Sequence, residues 1–369
     1  MIIELDDSIA ECADSLSEDE RSAIREIASS RRKGINFIIG RKSTIASFTN
    51  VHWLDADTRS LFRKVYNDQT RWFNFLTQVN FRVRLTKTTT VISHLQEGET
   101  QVLVAPLASV LTYGLQNQPI IIAEDYTDID FYEHMTRSYL KSKRVASVNC
   151  SYFPMPGGGK NTYRAVLRTV NKNLGISFCI LDGDYEFPGD SMGDTAQNVV
   201  DIANQLPPFP YSKFKVLSVR EAENIIPIST LNKILQSKAN KITVTKLTSL
   251  RDCSVNGEQP IKYVDFKKGL KKHLANSNCD STKKYWSKAI ELSGLDKQCN
   301  SGESECNSVR KCGCQLVEGL GSDLLKSAVE HFSDHPLNYK ELDSYIKTEW
   351  DDICEALVPY LFSPTAIAS

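Results

Sequence analysis

The sequence predicts an α/β fold: a mainly parallel four-stranded sheet with flanking helices, set between a mixed N-terminal segment and a mostly helical C-terminal region. Two observations carry this expectation. Between residues 119 and 226, short apolar runs alternate with helix-like stretches, as strands joined by crossovers do. Three of the four apolar runs there end in clustered carboxylates, at the strand ends where parallel sheets bind ligands. The chain of 369 residues is long enough for two or three domains, and its 41% hydrophobic and 24% charged fractions are ordinary for a globular protein.

Residues 1–118 read as a mixed α/β segment. Ser17-Glu18-Asp19-Glu20 is a capping-box pattern that opens a helix with Ile24, Ile27 and Ala28 on one face. The apolar stretch Ile35–Ile39 follows. Next come Trp72, Phe73, Phe75 and Phe81, whose helical spacing points to core rather than to a base-stacking platform.

In the 119–226 segment, Ile120–Ala123 is a buried-strand run ending in Glu124-Asp125, and a helix is expected from Asp128 to Lys141. Val145–Cys150 is the second strand candidate. After the break at Pro156-Gly157-Gly158-Gly159-Lys160, Arg164–Val170 reads as a helix and Ile176–Leu181 as a third strand, ending in Asp182-Gly183-Asp184. A helix from about Asp194 to Gln205 and a fourth strand, Phe214–Ser218, complete the pattern before Glu221-Ala222-Glu223-Asn224.

Residues 227–369 read as mostly helical. From 231 to 300 they hold 14 Lys+Arg against 6 Asp+Glu, a basic block inside a chain of net charge −1. Such a block is a candidate phosphate-binding face, with Lys271 and Lys272 at its centre. The near-neutral whole excludes a histone-like coat for nucleic acid. Cys299, Cys306, Cys312 and Cys314 fall within sixteen residues, but their spacing departs from the paired pattern of zinc sites, and an exposed loop is the favoured reading.

Other classes are excluded or not expected. No apolar run approaches 18 residues, so no membrane-spanning helix is expected. The first twenty residues carry eight acidic side chains, no basic one and no apolar core, so a secretory leader is not expected and the cytoplasm is the expected compartment. Gly157–Asn161 has Pro154 and Asn161 where a phosphate-binding ATPase loop needs Gly and Ser or Thr, and the Gly34–Ser43 run has an extra residue. Lys160, after its glycine turn at a helix start, remains a candidate phosphate contact. Asp182–Gly193 fails as a calcium loop, with Phe187 at the glycine position.

Glu124, Asp128, Asp182, Asp184 and Glu223 would face one crevice, and unneutralised they would repel, so the set is expected to hold cations or share protons. Hard oxygen donors in this number suit Mg2+ or Mn2+, and such ions support phosphodiester cleavage.

The runs IIIAEDYTDIDFYEHM (120–135), ILDGDYEFPGD (180–190) and LSVREAENIIP (217–227) resemble a toprim domain, the metal-binding fold of topoisomerases, primases and OLD-type nucleases. The likeness is strongest to the stand-alone, AriB-like toprim nucleases of bacterial antiphage (PARIS-type) systems, and it covers about residues 119–270. It implies a toprim catalytic domain over 119–226, with Asp182, Asp184 and Glu223 as metal ligands. Glu124 would be a ligand or general base, with Asp128 in support. The segment Tyr263–Gly269 would bring Lys267, or Lys268, to the scissile phosphate. The resemblance further implies a nucleic-acid substrate, DNA or tRNA, and an ABC-type or AAA ATPase partner, with oligomerisation open. Asp125 stands where the family has Gly. Two rival readings are a tyrosine strand cleaver of topoisomerase or Spo11 type and a non-catalytic scaffold subunit.

Overall fold

A computed structural model describes residues 1–145, 148–206, 212–295 and 314–367. Two sheets organise them. The first contains β1 (Ile2–Leu5), β2 (Phe37–Gly40), β3 (Phe81–Thr86), β4 (Ser93–Glu97) and β5 (Thr100–Pro106), in the order β2-β1-β3-β5-β4. All neighbours are parallel except the edge strand β4, which runs antiparallel to β5. Strand alternation turns Ile3, Val83 and Leu85 into the core and leaves Glu4, Arg82 and Arg84 on the outer face. The capping box holds as read: the Ser17 N–H donates to Glu20 Oε2 at 2.8 Å, and the helix it opens, Glu18–Arg32, buries Ile24, Ile27 and Ala28. Trp72, Phe75 and Phe81 are core, as their spacing implied, whereas Phe73 is 66% exposed.

The second sheet is the expected parallel one. It contains β6 (Ile120–Ala123), β8 (Phe153–Pro156), β9 (Ser177–Leu181) and β10 (Ser212–Val216), ordered β10-β9-β6-β8 and parallel throughout. The central strands β6 and β9 are buried along their whole length because helices cover both faces. On one face Ile120, Ile122, Cys179 and Leu181 pack with Val166 and Val199 of the helices Thr162–Asn171 and Asp194–Ala203. The opposite face meets the helices Tyr126–Ser142 and Ser344–Leu361.

One strand assignment needs correcting. The run Val145–Cys150 does not enter this sheet. Its last two residues form β7 (Asn149–Cys150), antiparallel to Phe362–Ser363 near the C-terminus, while residues 146 and 147 lie outside the described ones. Its place in the sheet is taken by β8, which carries Pro154 and Pro156. Proline cannot donate to a central ladder, so these two residues argue against a strand in the sequence, yet they are tolerated because β8 is an edge.

The two sheets share one apolar core. Tyr360 of the Ser344–Leu361 helix stacks on Phe81 at 5.3 Å and meets Phe178 of β9 at 5.0 Å between ring centroids. Among the described residues the region after β10 is mostly helical, as expected, apart from the Phe362–Ser363 strand and a small antiparallel pair, β11 (Gly269–Lys271) and β12 (Gln315–Glu318). Among the described residues no helix is long and apolar enough to cross a membrane. Cys314 is half-buried just before β12, whereas Cys299, Cys306 and Cys312 lie outside the described residues.

Candidate functional site at the carboxyl edge of the parallel sheet

Because β6, β9 and β10 are adjacent and parallel, the connections that leave their carboxyl ends share one edge of the sheet. After β6 comes Glu124, then Asp125 in extended backbone (φ −134°) as the N-cap of the Tyr126–Ser142 helix. Asp125 accepts the Thr127 N–H at 2.9 Å, and Asp128 accepts the Asp125 N–H at 2.8 Å. An extended cap has no need of glycine, so Asp serves here. Asp128 therefore closes a capping box as well as facing the other carboxylates. The glycine run folds over this turn: the Gly157 N–H donates to Ala123 O at 2.7 Å and the Gly158 N–H to Glu124 O at 3.0 Å. Gly159, at φ +60°, lies so close that a Cβ there would stand 3.1 Å from Glu124 Oε1.

After β9 the chain turns at Asp182-Gly183-Asp184. Gly183 is needed for space, since a Cβ would come within 2.5 Å of Val219 O. Asp184 takes the left-handed conformation (φ +54°) that Asp tolerates better than most residues, and its N–H donates to Arg220 O at 2.7 Å. Asp182 Oδ1 accepts the Ala222 N–H at 3.0 Å, tying the β9 and β10 connections together.

The β10 connection is a short 3-10 turn, Ala222–Ile225, that buries Glu223 to 2% exposure. Asn224 fixes it to the next segment by donating to Ile261 O at 2.9 Å and Val264 O at 2.8 Å. That clamp brings Lys267 Nζ to 3.2 Å from Glu223 Oε1 and 3.5 Å from Glu221 Oε2. Lys268 points elsewhere, to Asp265 at 3.4 Å, with its side chain 82% exposed. The C-terminal helix backs the turn: Glu349 accepts the Ser218 N–H at 2.9 Å, and the Trp350 indole donates to Ile225 O at 2.9 Å.

A cavity of about 420 Å³ opens here, walled by Glu124, Asp128, Asp182, Glu223 and Lys267, with Lys326 on the rim. Burial, and after it the charges of Asp184 and Glu223, raises Glu124 above the usual carboxylate range. Burial with Glu223 and Glu124 nearby pushes Asp128 up to about 7. Asp182 is raised well above the usual carboxylate range by burial and by Asp128 and Glu223. Burial also lifts Glu221 to about 7, although Lys267 opposes it. Lys267 stays charged because Glu223, Glu221 and Asp182 outweigh its own burial. Among the described residues, Glu124, Asp128, Asp182 and Asp184 have no ion-pair partner. Crowded carboxylates with so little neutralisation hold protons or attract cations.

The donor set fits a hard divalent cation, with one feature of spacing. Among the described residues no three His, Cys, Asp or Glu side chains are drawn together into a ready-made cage. Mg2+ needs none: it keeps several waters and is commonly held by one or two carboxylates plus substrate phosphates. The buried Glu221 Oε2, which has no hydrogen-bond partner, is a further acceptor in the cluster.

The sequence-derived residues divide in two. Glu124, Asp128, Asp182, Glu223 and Lys267 come together in the cavity wall, and Asp184 stands close enough to Glu124 to raise its proton affinity. Lys160 pairs with Asp194 at 2.6 Å on the surface, Lys271 is exposed on β11, and Lys272 follows it half-buried; with Lys268, they lie outside the cavity wall. Glu221 and Lys326 were not singled out in the sequence. Glu221 was legible as the first acid of Glu221-Ala222-Glu223, whereas nothing local marks Lys326. Compared with known proteins, the chain matches no family model, no curated protein and no solved structure.

Proposed function

We propose that this chain is a Mg2+- or Mn2+-dependent endonuclease of toprim type that hydrolyses phosphodiester bonds in DNA or tRNA. The observation that carries the reading is the convergence of Glu124, Asp182 and Glu223, from the connections after three adjacent parallel strands, on a cavity that also takes in Lys267. Asp182 and Glu223, both in the cavity wall, would hold the ion together with waters and substrate phosphate, with Glu124 as a further ligand or as the base and Asp184 as a neighbouring charge. The rise in Glu124 proton affinity is in the direction a base working near neutral pH requires. Asp128 keeps the Glu124 turn in place through its bond to the Asp125 N–H. Lys267, charged and half-exposed, is set to approach a phosphoryl oxygen. A bound divalent ion supplies charge neutralisation for the phosphoryl oxygens as the bond breaks.

The toprim likeness extends the proposal to an antiphage effector restrained by an ABC-type or AAA ATPase encoded nearby. The test is product chemistry with the purified full chain, Mg2+ or Mn2+, and end-labelled DNA and tRNA, with and without that ATPase. The proposal expects new free ends that vanish with EDTA and with Asp182→Asn. A tyrosyl-linked end would replace it with the strand-cleaver reading. No cleavage in any arm, with the ATPase captured, would leave the scaffold reading.

A further inference from the structure

We propose that a second cavity, beside the carboxylate cluster, takes an unpaired nucleotide of the substrate strand. This inference rests on the nuclease reading and names the form of nucleic acid it acts on. The cavity, about 660 Å³, is walled on one side by Phe187 and Pro188 and on the other by Lys284, Tyr285 and Lys288 of the helix Asp280–Ser293, with Glu291 at its rim. Its volume lies within the range of ligand pockets, roughly 300–1,000 Å³.

Three observations point to a nucleotide. The first is position. Phe187 is three residues beyond Asp184, so it lies within about 11 Å of it along even a fully extended chain. That distance is about three stacked nucleotides at ~3.4 Å each. A strand with its phosphate at the carboxylates thus reaches this pocket with its next few bases.

The second is construction. The Gly193 N–H donates to Gly183 O at 3.0 Å, closing the neck of the loop that carries Phe187. Asp190 accepts the Glu186 N–H at 3.0 Å, and the buried Trp286 indole donates to Glu186 O at 2.9 Å, fastening the loop to the helix. The wall therefore stands formed before any ligand arrives.

The third is chemistry. Phe187, half-buried, offers apolar surface for a base, and Lys284 is an exposed ammonium without an ion-pair partner among the described residues. Lys288 is paired with Glu291 at 3.0 Å, so Lys284 is the free charge for a flanking phosphate. Bases inside a duplex are stacked and cannot enter a concave pocket, so the occupant is a looped, flipped or single-stranded nucleotide.

The test reads binding without cleavage. Fluorescein-labelled 12-mers, RNA and DNA, single-stranded or annealed to a complement, are titrated with the full chain in EDTA. The single strand should bind more tightly than its duplex, and Phe187→Ala should weaken single-strand binding about tenfold while leaving duplex binding unchanged. Lys284→Glu, at an exposed position that does not endanger folding, should weaken single-strand binding and flatten its salt dependence. A strand bearing 4-thiouridine should photocrosslink to peptides containing Phe187 or Tyr285. Wild-type binding by both variants, or crosslinks confined to other peptides, would overturn the pocket. Because binding is read without metal, intact single-strand binding beside a failure of Mg2+-dependent cleavage in a separate assay bears on the nuclease reading alone.

Discussion

The two sheets handle charge in opposite ways. On the outer face of the five-stranded sheet, Glu4 and Glu97 are matched by Arg82 and Arg84, with contacts of 2.6, 2.7 and 3.0 Å. Hydrogen bonds from Arg84 hold Glu97 below the ordinary carboxylate range. At the edge of the four-stranded sheet, Glu124, Asp128, Asp182, Glu221 and Glu223 crowd around Lys267, with Asp184 near Glu124, and burial lifts Glu124, Asp128, Asp182 and Glu221 above that range. The same residue types are thus made comfortable in one place and uncomfortable in the other. Balanced pairs serve the scaffold, whereas a carboxylate excess held in place by backbone bonds marks a candidate functional site, which the proposed cation would neutralise.

The contrast breaks first at Asp182 and Asp184. Asp182→Asn or Asp184→Asn should lower Mg2+-dependent cleavage at least about 100-fold, while the melting temperature in EDTA holds, since an amide oxygen at 182 can still accept the Ala222 N–H. Gel assays of cleavage beside thermal melts check both halves. Lys267→Met works the other way: Glu221 and Glu223 lose their cation, and the melting temperature in EDTA should fall by about 2–5 °C.

The pH dependence follows from the raised carboxyls. Asp128 and Glu221 move from ordinary values of 3.8 and 4.5 up to about 7, so the folded chain binds protons more tightly than the unfolded one across that window. Their contribution to stability is therefore greatest at low pH and is lost as pH rises toward 7. Melting in EDTA should show this decline between pH 5 and 8, and millimolar Mg2+ should flatten it; a rise across the window would contradict the electrostatic account.

Arg84→Ala should sharpen the comparison from the other sheet. It should cost about 1–2 kcal/mol of stability by denaturant titration, with cleavage per folded molecule unchanged. The smallest effect belongs to Lys271→Glu with Lys272→Glu. If these lysines track a backbone, the salt slope of binding falls by about two; an unchanged slope makes them a solvated face.

Local patterns were the legible part of this fold. Ser17 with Glu20 announced its helix because a capping box is complete within four residues, and β6 and β9 announced themselves because strands covered on both faces are uninterrupted apolar runs. β8 was hidden by its prolines, which only edge placement excuses. The strand-end acids were legible, but the contacts that hold them were not. Asn224 reaches Val264 across 40 positions and Glu349 reaches Ser218 across 131, and no short-range pattern encodes such a bond.

The central claim is that the carboxylate excess is a cation site, and Mn2+ binding measured by calorimetry at pH 7 tests it most directly. The account predicts saturable binding that releases protons, since carboxyls raised toward neutrality must lose them to bind metal, and loss of that binding in Asp182→Asn with Glu223→Gln. Absence of saturable binding, or binding of equal strength in the double variant, would contradict it.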